Sequence, residues 1–317
     1  MTNTSANPIS RLFNMNTSGE KGGRYLPLWR QLILQVVCIL IAITVLFPIM
    51  YIITLSLSSS GSRPSTLQLI PTEFSLVAYQ QVLDRPTGNP VTFVELLKNS
   101  LMLSLGVAGV ALMIAVSAAY AFSRLKFAGR QFLMMAVFFV ILMPGIGLAL
   151  PLFLLFNGVR VTDPTSGSVI FNLRNSLVGV GIAMISGALP FAIWNLKGYL
   201  DTIPKELEEA AIIDGASANR VFYQIVLPLA APALAVTFFL SFMGNWQEFV
   251  LSWLFLTNPA DFTLAMSLYN MTGKYATEIP WNRFSAMALI IASPVAVIYI
   301  ALQKQIVGGL TLGGVKG

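Results

Sequence analysis

Apolar residues fall along the chain in six long runs, near 32–56, 97–122, 131–156, 176–198, 229–256 and 284–303. Each is about 20 residues or more, the length that crosses the ~30 Å hydrocarbon core of a bilayer as an α-helix. The runs are continuous rather than alternating, which argues against a strand-built barrel. The pattern therefore predicts an all-α polytopic membrane protein with six transmembrane helices. A Ser-rich stretch after the first run looks like the end of a secretory signal. The run is longer than the roughly 7–15 apolar residues of such a signal, so 31–56 is read as a true first span. Residues 1–30 form a polar tail without an apolar face, 57–96 an outer loop, 97–303 the core with a polar loop at 199–228, and 304–317 a second tail.

Composition sharpens this picture. Apolar residues make up 56% of the chain and charged residues 10%, against roughly 25% charged in a soluble domain. The net charge of +6 could suggest nucleic acid, but the basic residues flank the apolar runs in small groups, as membrane topology requires. With six spans, twelve of the nineteen Lys and Arg residues lie on the side of the two termini. The positive-inside rule then places both termini and the 199–228 loop in the cytoplasm, in a cytoplasmic (inner) membrane. The chain has no His and one Cys, Cys38, so a Ser-His-Asp triad and an intrachain disulfide are excluded and metal sites lose their usual ligands. Gly273-Lys274 lacks the upstream Gly and following hydroxyl of a phosphate-binding loop. No catalytic residue, bound cofactor or metal is expected of this chain.

The most polar stretch of the second half is 206–228. Asp201-Thr202-Ile203-Pro204 reads as a helix start, and Glu206, Glu208 and Glu209 follow at the positive end of the helix dipole. Leu207, Ala210 and Ala211 share one face. Gly215, after Asp214, suits a helix end with positive φ, and Ala216-Ser217 leads into a second short helix capped by Ser217. That helix carries Phe222, Ile225 and Val226 on one stripe, and Leu227-Pro228 opens the fifth span. Two readings stand at this point: an amphipathic connector lying on the headgroups, or a docking element for a protein. Surface-lying helices normally carry Lys or Arg, and the cytoplasmic leaflet is itself negative, so the acid-rich loop favours a protein.

Asn245-Trp246-Gln247-Glu248 interrupts the fifth run. A carboxylate at the membrane centre costs about 2.5–3.5 kcal/mol. On a continuous helix from Pro228, Glu248 would lie about 30 Å on, near the outer face. Two readings remain open: a translocation-path site in which Trp246 stacks on a sugar and Gln247 or Glu248 bonds hydroxyls, or a structural contact with a partner subunit. Glu248 alone offers too few intramembrane ionisable groups for an intramembrane glycosyltransferase or an ion-coupled secondary transporter, the two rival classes.

Three places carry a resemblance. Glu209-Ala210-Ala211, three residues, Gly215, nine residues, Ile225, one residue and Leu227-Pro228 match the EAA loop of permeases of binding-protein-dependent ABC importers. Residues 119–129, Ala-Tyr-Ala-Phe-Ser-Arg-Leu-Lys-Phe-Ala-Gly, look like the turn between that family's second and third spans. Residues 307–317 resemble the ending of its maltose-type members. Over about 30–317 the chain resembles the carbohydrate branch of the family, with its type I permease fold, and most closely the G-type subunit of maltose/maltodextrin importers. The resemblance implies a sugar substrate and four protein partners: a second permease, two ATPase subunits holding ATP and Mg, and an extracytoplasmic solute-binding protein. It makes 206–216, with Glu206, Glu209, Ala210, Ala211, Asp214, Gly215 and Ala216, the coupling helix entering a cleft on the ATPase, followed by Leu227 and Pro228. It also sends the tail with Gly313, Gly314, Val315 and Lys316 between the two ATPases, where the residues alone suggest a frayed end. Membrane lipid surrounds the rest.

Overall fold

The computed structural model describes residues 27–62, 67–71, 73–88, 90–143, 145–273 and 278–314, with side chains through Gln305 apart from that of Ile146. Two compact units make up the chain, 1–50 and 51–317. The first helix, α1 (Leu28–Ser56), begins in the first unit. It is apolar all round and has no polar stripe, the character of a helix in hydrocarbon.

In the second unit a short helix α2 (Val77–Asp84) precedes the long α3 (Phe93–Arg124). Thr92 and Glu95 close a reciprocal capping box at the start of α3, which satisfies two backbone donors left free by the first turn. Then come α4 (Arg130–Leu142), α5 (Gly145–Gly158), an antiparallel hairpin β1 (Arg160–Thr162) and β2 (Val169–Asn172), and α6 (Leu177–Leu200). The polar loop folds as α7 (Glu206–Ile213) and α8 (Ala218–Val221). A π-helical turn over Phe222–Val226 leads into α9 (Leu227–Leu229) and α10 (Ala231–Trp246). The rest is α11 (Val250–Phe255), α12 (Leu264–Asn270) and α13 (Trp281–Gly314).

Four of these helices are long and apolar enough to cross a membrane, and six spans result when each of two bent pairs counts as one. The expected continuous span 131–156 is instead α4 and α5, turned 104° at the break after Met143. In the sequence Met143 is followed by Pro144. A residue before proline is driven out of the helical region, and Met143 is extended with ψ 133°. The second bent pair is Ala218–Leu229 with Ala231–Trp246, turned 72°, and the expected fifth span 229–256 is further divided where α10 ends at Trp246 and α11 begins at Val250.

Helix α3 is the centre of the second unit and packs most extensively against α6, then α10. Its contact stripe is built of small residues: Ala108, Ala111, Ala115 and Ala119 are all fully buried. Lipid gives helices no hydrophobic drive to associate, so close backbone approach through small residues supplies the attraction. The facing surface of α6 follows the same rule. There Gly181 sits against Leu103 and Val107 of α3, where an added Cβ would come within 3.5 Å of the Leu103 side chain. One polar bond crosses between α6 and α10, Asn195 Nδ2 donating to Thr237 Oγ1 at 2.8 Å.

Candidate functional site: the polar loop and the broken fifth span

The loop after α6 departs from the expected helix start. Asp201 caps the C-terminus of α6, its N–H donating to the Lys197 carbonyl, and α7 begins only at Glu206 without a side-chain cap. The Asp201 carboxylate is taken elsewhere: Ser123 Oγ donates to it at 2.6 Å and Lys197 Nζ pairs with it. Burial raises its pKa, but the bonds from Lys197 and Ser123 and the charges of Lys197 and Arg124 outweigh this and hold it below the usual carboxylate range.

Helix α7 carries three acids in its first turn, as the dipole favours. They divide sharply. Glu206 and Glu209 are exposed, whereas Glu208 is buried. Glu208 Oε1 accepts from Arg124 Nε at 2.6 Å, and both side chains are less than 10% exposed. Tyr120 Oη donates to the other Glu208 oxygen at 3.3 Å. Arg124 also donates to the Ile203 carbonyl and to Ser123 Oγ, each at 3.0 Å. The two stretches singled out in the sequence, 119–129 and 206–228, thus meet at one ion pair. Sequence reasoning missed it, because three neighbouring glutamates look alike until a partner appears on another helix. The available signal was Arg124 at the end of an apolar run.

Of the residues expected on one face, Ala211 is half-buried while Leu207 and Ala210 are exposed. Ile213 is 85% exposed. The outward face of α7 therefore presents Glu206, Glu209 and an apolar ridge of Leu207, Ala210 and Ile213. Helix α7 ends as expected: Gly215 has φ +88°, and the Ala216 N–H reaches back to the Ala211 carbonyl at 2.9 Å. Asp214 is the exposed cap just before it. Ser217 caps α8. On the stripe beyond, Val221 and Val226 are fully buried, and Phe222 packs edge-on against Tyr120 at 4.9 Å. The π turn has a local cause. Pro228 has no N–H for the Gln224 carbonyl and its ring would crowd that group, so the backbone widens before it. Leu227 is half-buried and Pro228 exposed. Pro228 lies in α9, and the long helix starts only after Ala230.

At the other polar cluster the four residues separate. Trp246 is 4% exposed, stacks on Phe242 at 5.6 Å and donates Nε1–H to the Ile291 carbonyl at 3.0 Å. It is a core residue joining α10 to α13, and its ring is not free to stack on a sugar. Asn245 donates back to the Ser241 carbonyl at 2.7 Å, and Gln247 is exposed. Glu248 stands in the break between helices and caps α11, accepting from Leu251 N–H at 2.6 Å and from the Ser252 N–H and hydroxyl. The continuous-helix placement of Glu248 is thereby corrected. Glu248 borders two cavities. One of about 300 Å³ is lined by Thr237, Ser241, Asn245, Gly187 and Phe191, and one of about 250 Å³ by Ser186, Leu148 and Val250. Asn245 and Glu248 thus line a small cavity, while Trp246 does not.

The C-terminal segment is helical through Gly314 rather than frayed from 304, and 304–314 advances about 16 Å at 1.5 Å per residue. Val315 and Lys316, like most of the 1–30 tail, lie outside the described residues.

Comparison with known proteins agrees with this architecture. Residues 111–310 match the family model described as binding-protein-dependent transport system inner membrane component. The chain is 33% identical over 276 residues to the galactooligosaccharides transport system permease protein GanQ of Bacillus subtilis, covering 87% of this chain and 92% of that one. It is 33% identical over 288 residues to the trehalose/maltose transport system permease protein MalG of Thermococcus litoralis, covering 91% and 98%. A crystal structure of a bacterial ABC transporter involved in import of the acidic polysaccharide alginate superimposes with a TM-score of 0.69 at 22% identity, covering 89% of this chain and 99% of that one. The fold is that of a type I ABC importer permease. With a match spanning more than half its length and relatives aligned nearly end to end, the chain belongs to the binding-protein-dependent transport system inner membrane component family, as a multi-pass protein of the inner membrane.

Proposed function

We propose that this chain is one of the two permease subunits of an ATP-driven sugar importer, and that its 206–216 segment is the element moved by the ATPases. The observation that carries this is the division of α7. Glu208 is bound inward, while Glu209, Ile213 and the Gly215 turn face outward with no partner among the described residues. An exposed apolar ridge edged by acids on a polar loop is the mark of a protein interface. Both termini and this loop lie in the cytoplasm on this reading, and a solute-binding protein delivers sugar from the other face. ATP and Mg are held by the ATPase subunits. ATP closes these subunits, α7 moves with them, and the cavity bordered by Asn245 and Glu248 changes its accessible side. The relatives named above carry galacto-oligosaccharides, trehalose and maltose in their names, which supports a di- or oligosaccharide cargo. Maltose or maltodextrin is the leading candidate.

The test is ATP-dependent uptake in proteoliposomes holding the full complex, with a panel of maltose, trehalose and galacto-oligosaccharide. Gly215→Asp is compared with wild type. The expected result is an intact pair of permeases that no longer retains the ATPases or accumulates sugar. Undiminished uptake by this variant would reduce the loop to a passive connector.

A further inference from the structure

We infer that the buried Arg124–Glu208 ion pair is the joint through which movement of α7 enters the membrane domain, with Arg124 and Glu208 as positioning residues. The inference rests on the coupling role proposed above and adds to it the link on the membrane side. Helix α7 holds on to the rest of the fold weakly through apolar contacts. Leu207, Ile212 and Ile213 are exposed, and Ala211 is its one half-buried apolar side chain. What attaches α7 is polar. Arg124 grips Glu208 and the Ile203 carbonyl together, Tyr120 holds the second Glu208 oxygen, and Ser123 holds Asp201. Three side chains within about the last turn of α3 thus seize the loop at its entry and at the first turn of α7.

A buried ion pair is a poor device for stability alone, since desolvation offsets most of its attraction. Its distinguishing property is direction: a guanidinium fixed by three acceptors holds one geometry. The other end of the path is also visible. Helix α3 packs along its small-residue stripe on α6 and α10, which supply Gly187, Phe191, Thr237, Ser241 and Asn245 to the cavity beside Glu248. Rigid attachment of α7 to α3 therefore carries a displacement to the helices that wall the cavity.

The experiment uses the reconstituted full complex and reads three quantities: ATPase subunits retained, ATP hydrolysed, and sugar accumulated per ATP, with whichever sugar of the panel wild type accumulates. Glu208→Gln keeps the shape and removes the charge, while Arg124→Lys keeps the charge and removes the fork. The expected result is near-normal retention and hydrolysis with sugar per ATP reduced about tenfold in Glu208→Gln, within the range that coupling energies span. Arg124→Lys is expected to fall between it and wild type. A joint with a merely structural role would lower retention and hydrolysis together and leave the ratio unchanged; that result overturns the inference. So does wild-type sugar per ATP in both variants, and so does failure of both to assemble, which would assign the pair to folding. Glu209→Lys and Gly215→Asp separate the two levels. If they abolish ATPase retention while Glu208→Gln transports normally, only the joint is wrong. If they change nothing, the coupling reading itself fails.

Discussion

Two glutamates at helix junctions behave in opposite ways. Glu208 reaches across 84 residues of sequence to Arg124 and ties a loop helix to the central helix. Among the described residues Glu248 bonds to Leu251 and Ser252 alone, three and four residues on, and closes the turn it stands in. The first junction cannot shift without breaking a desolvated charge pair. The second keeps its bonds if α11 and its cap swing together. A membrane protein can thus use one residue type for a rigid joint and for a self-contained hinge cap, and the choice is set by where the partner lies.

The comparison can be broken most forcefully at Arg124. Arg124→Ala leaves the Glu208 carboxylate buried without its ion partner, a change worth about 3–5 kcal/mol. The expected outcome is a large drop in thermal stability and rapid proteolysis within 199–228; a melting curve matching wild type would contradict the buried pair. Gly215→Ala acts on the same region more gently. It forces a Cβ into a left-handed turn at φ +88°, at about 1–2 kcal/mol, and should loosen the α7–α8 turn in hydrogen exchange without disturbing α3. At the other junction, Glu248→Ala removes a helix cap worth about 0.5–2 kcal/mol. It should lower uptake while the assembled complex survives on a native gel. Loss of the complex instead would make Glu248 an assembly residue and remove the contrast.

The smallest expected effect is one of pH. Asp201 has its pKa depressed in the folded chain, so it binds fewer protons there than when unfolded. Its contribution is fully present above the ordinary carboxylate range and is lost as pH falls through the depressed value. Cleavage by an acid-active protease near 201–205 should increase only below the ordinary range, and Asp201→Asn should abolish that dependence. The exposed Asp163 offers a control far along the sequence. Bonds from Thr165 and Ser166 hold it at about 2, so the hairpin turn should persist to lower pH.

Much of the 199–228 loop was legible because its signals are local. Gly215 ends a helix with positive φ and Ser217 caps the next one, each decided within a few residues. Asp201 was misread for the complementary reason: it satisfies every local rule for starting a helix, yet Ser123 and Lys197 compete for its carboxylate and win. Trp246 is a similar case. An aromatic ring beside polar residues suggests a sugar platform, but the Ile291 carbonyl, 45 residues away, takes its N–H.

The helix breaks were partly announced. Pro144-Gly145 stands in the middle of an apolar run, but hydropathy alone averages over such a dipeptide. By itself, then, the sequence determined the membrane class, the number of apolar runs, the loop motif and the family, because these depend on composition, run length and local backbone preference. Only the tertiary structure decided which of three neighbouring glutamates turns inward and whether Trp246 is a free ring or a core residue. Those outcomes depend on partners far away along the chain, and a buried charge or N–H goes wherever its partner is.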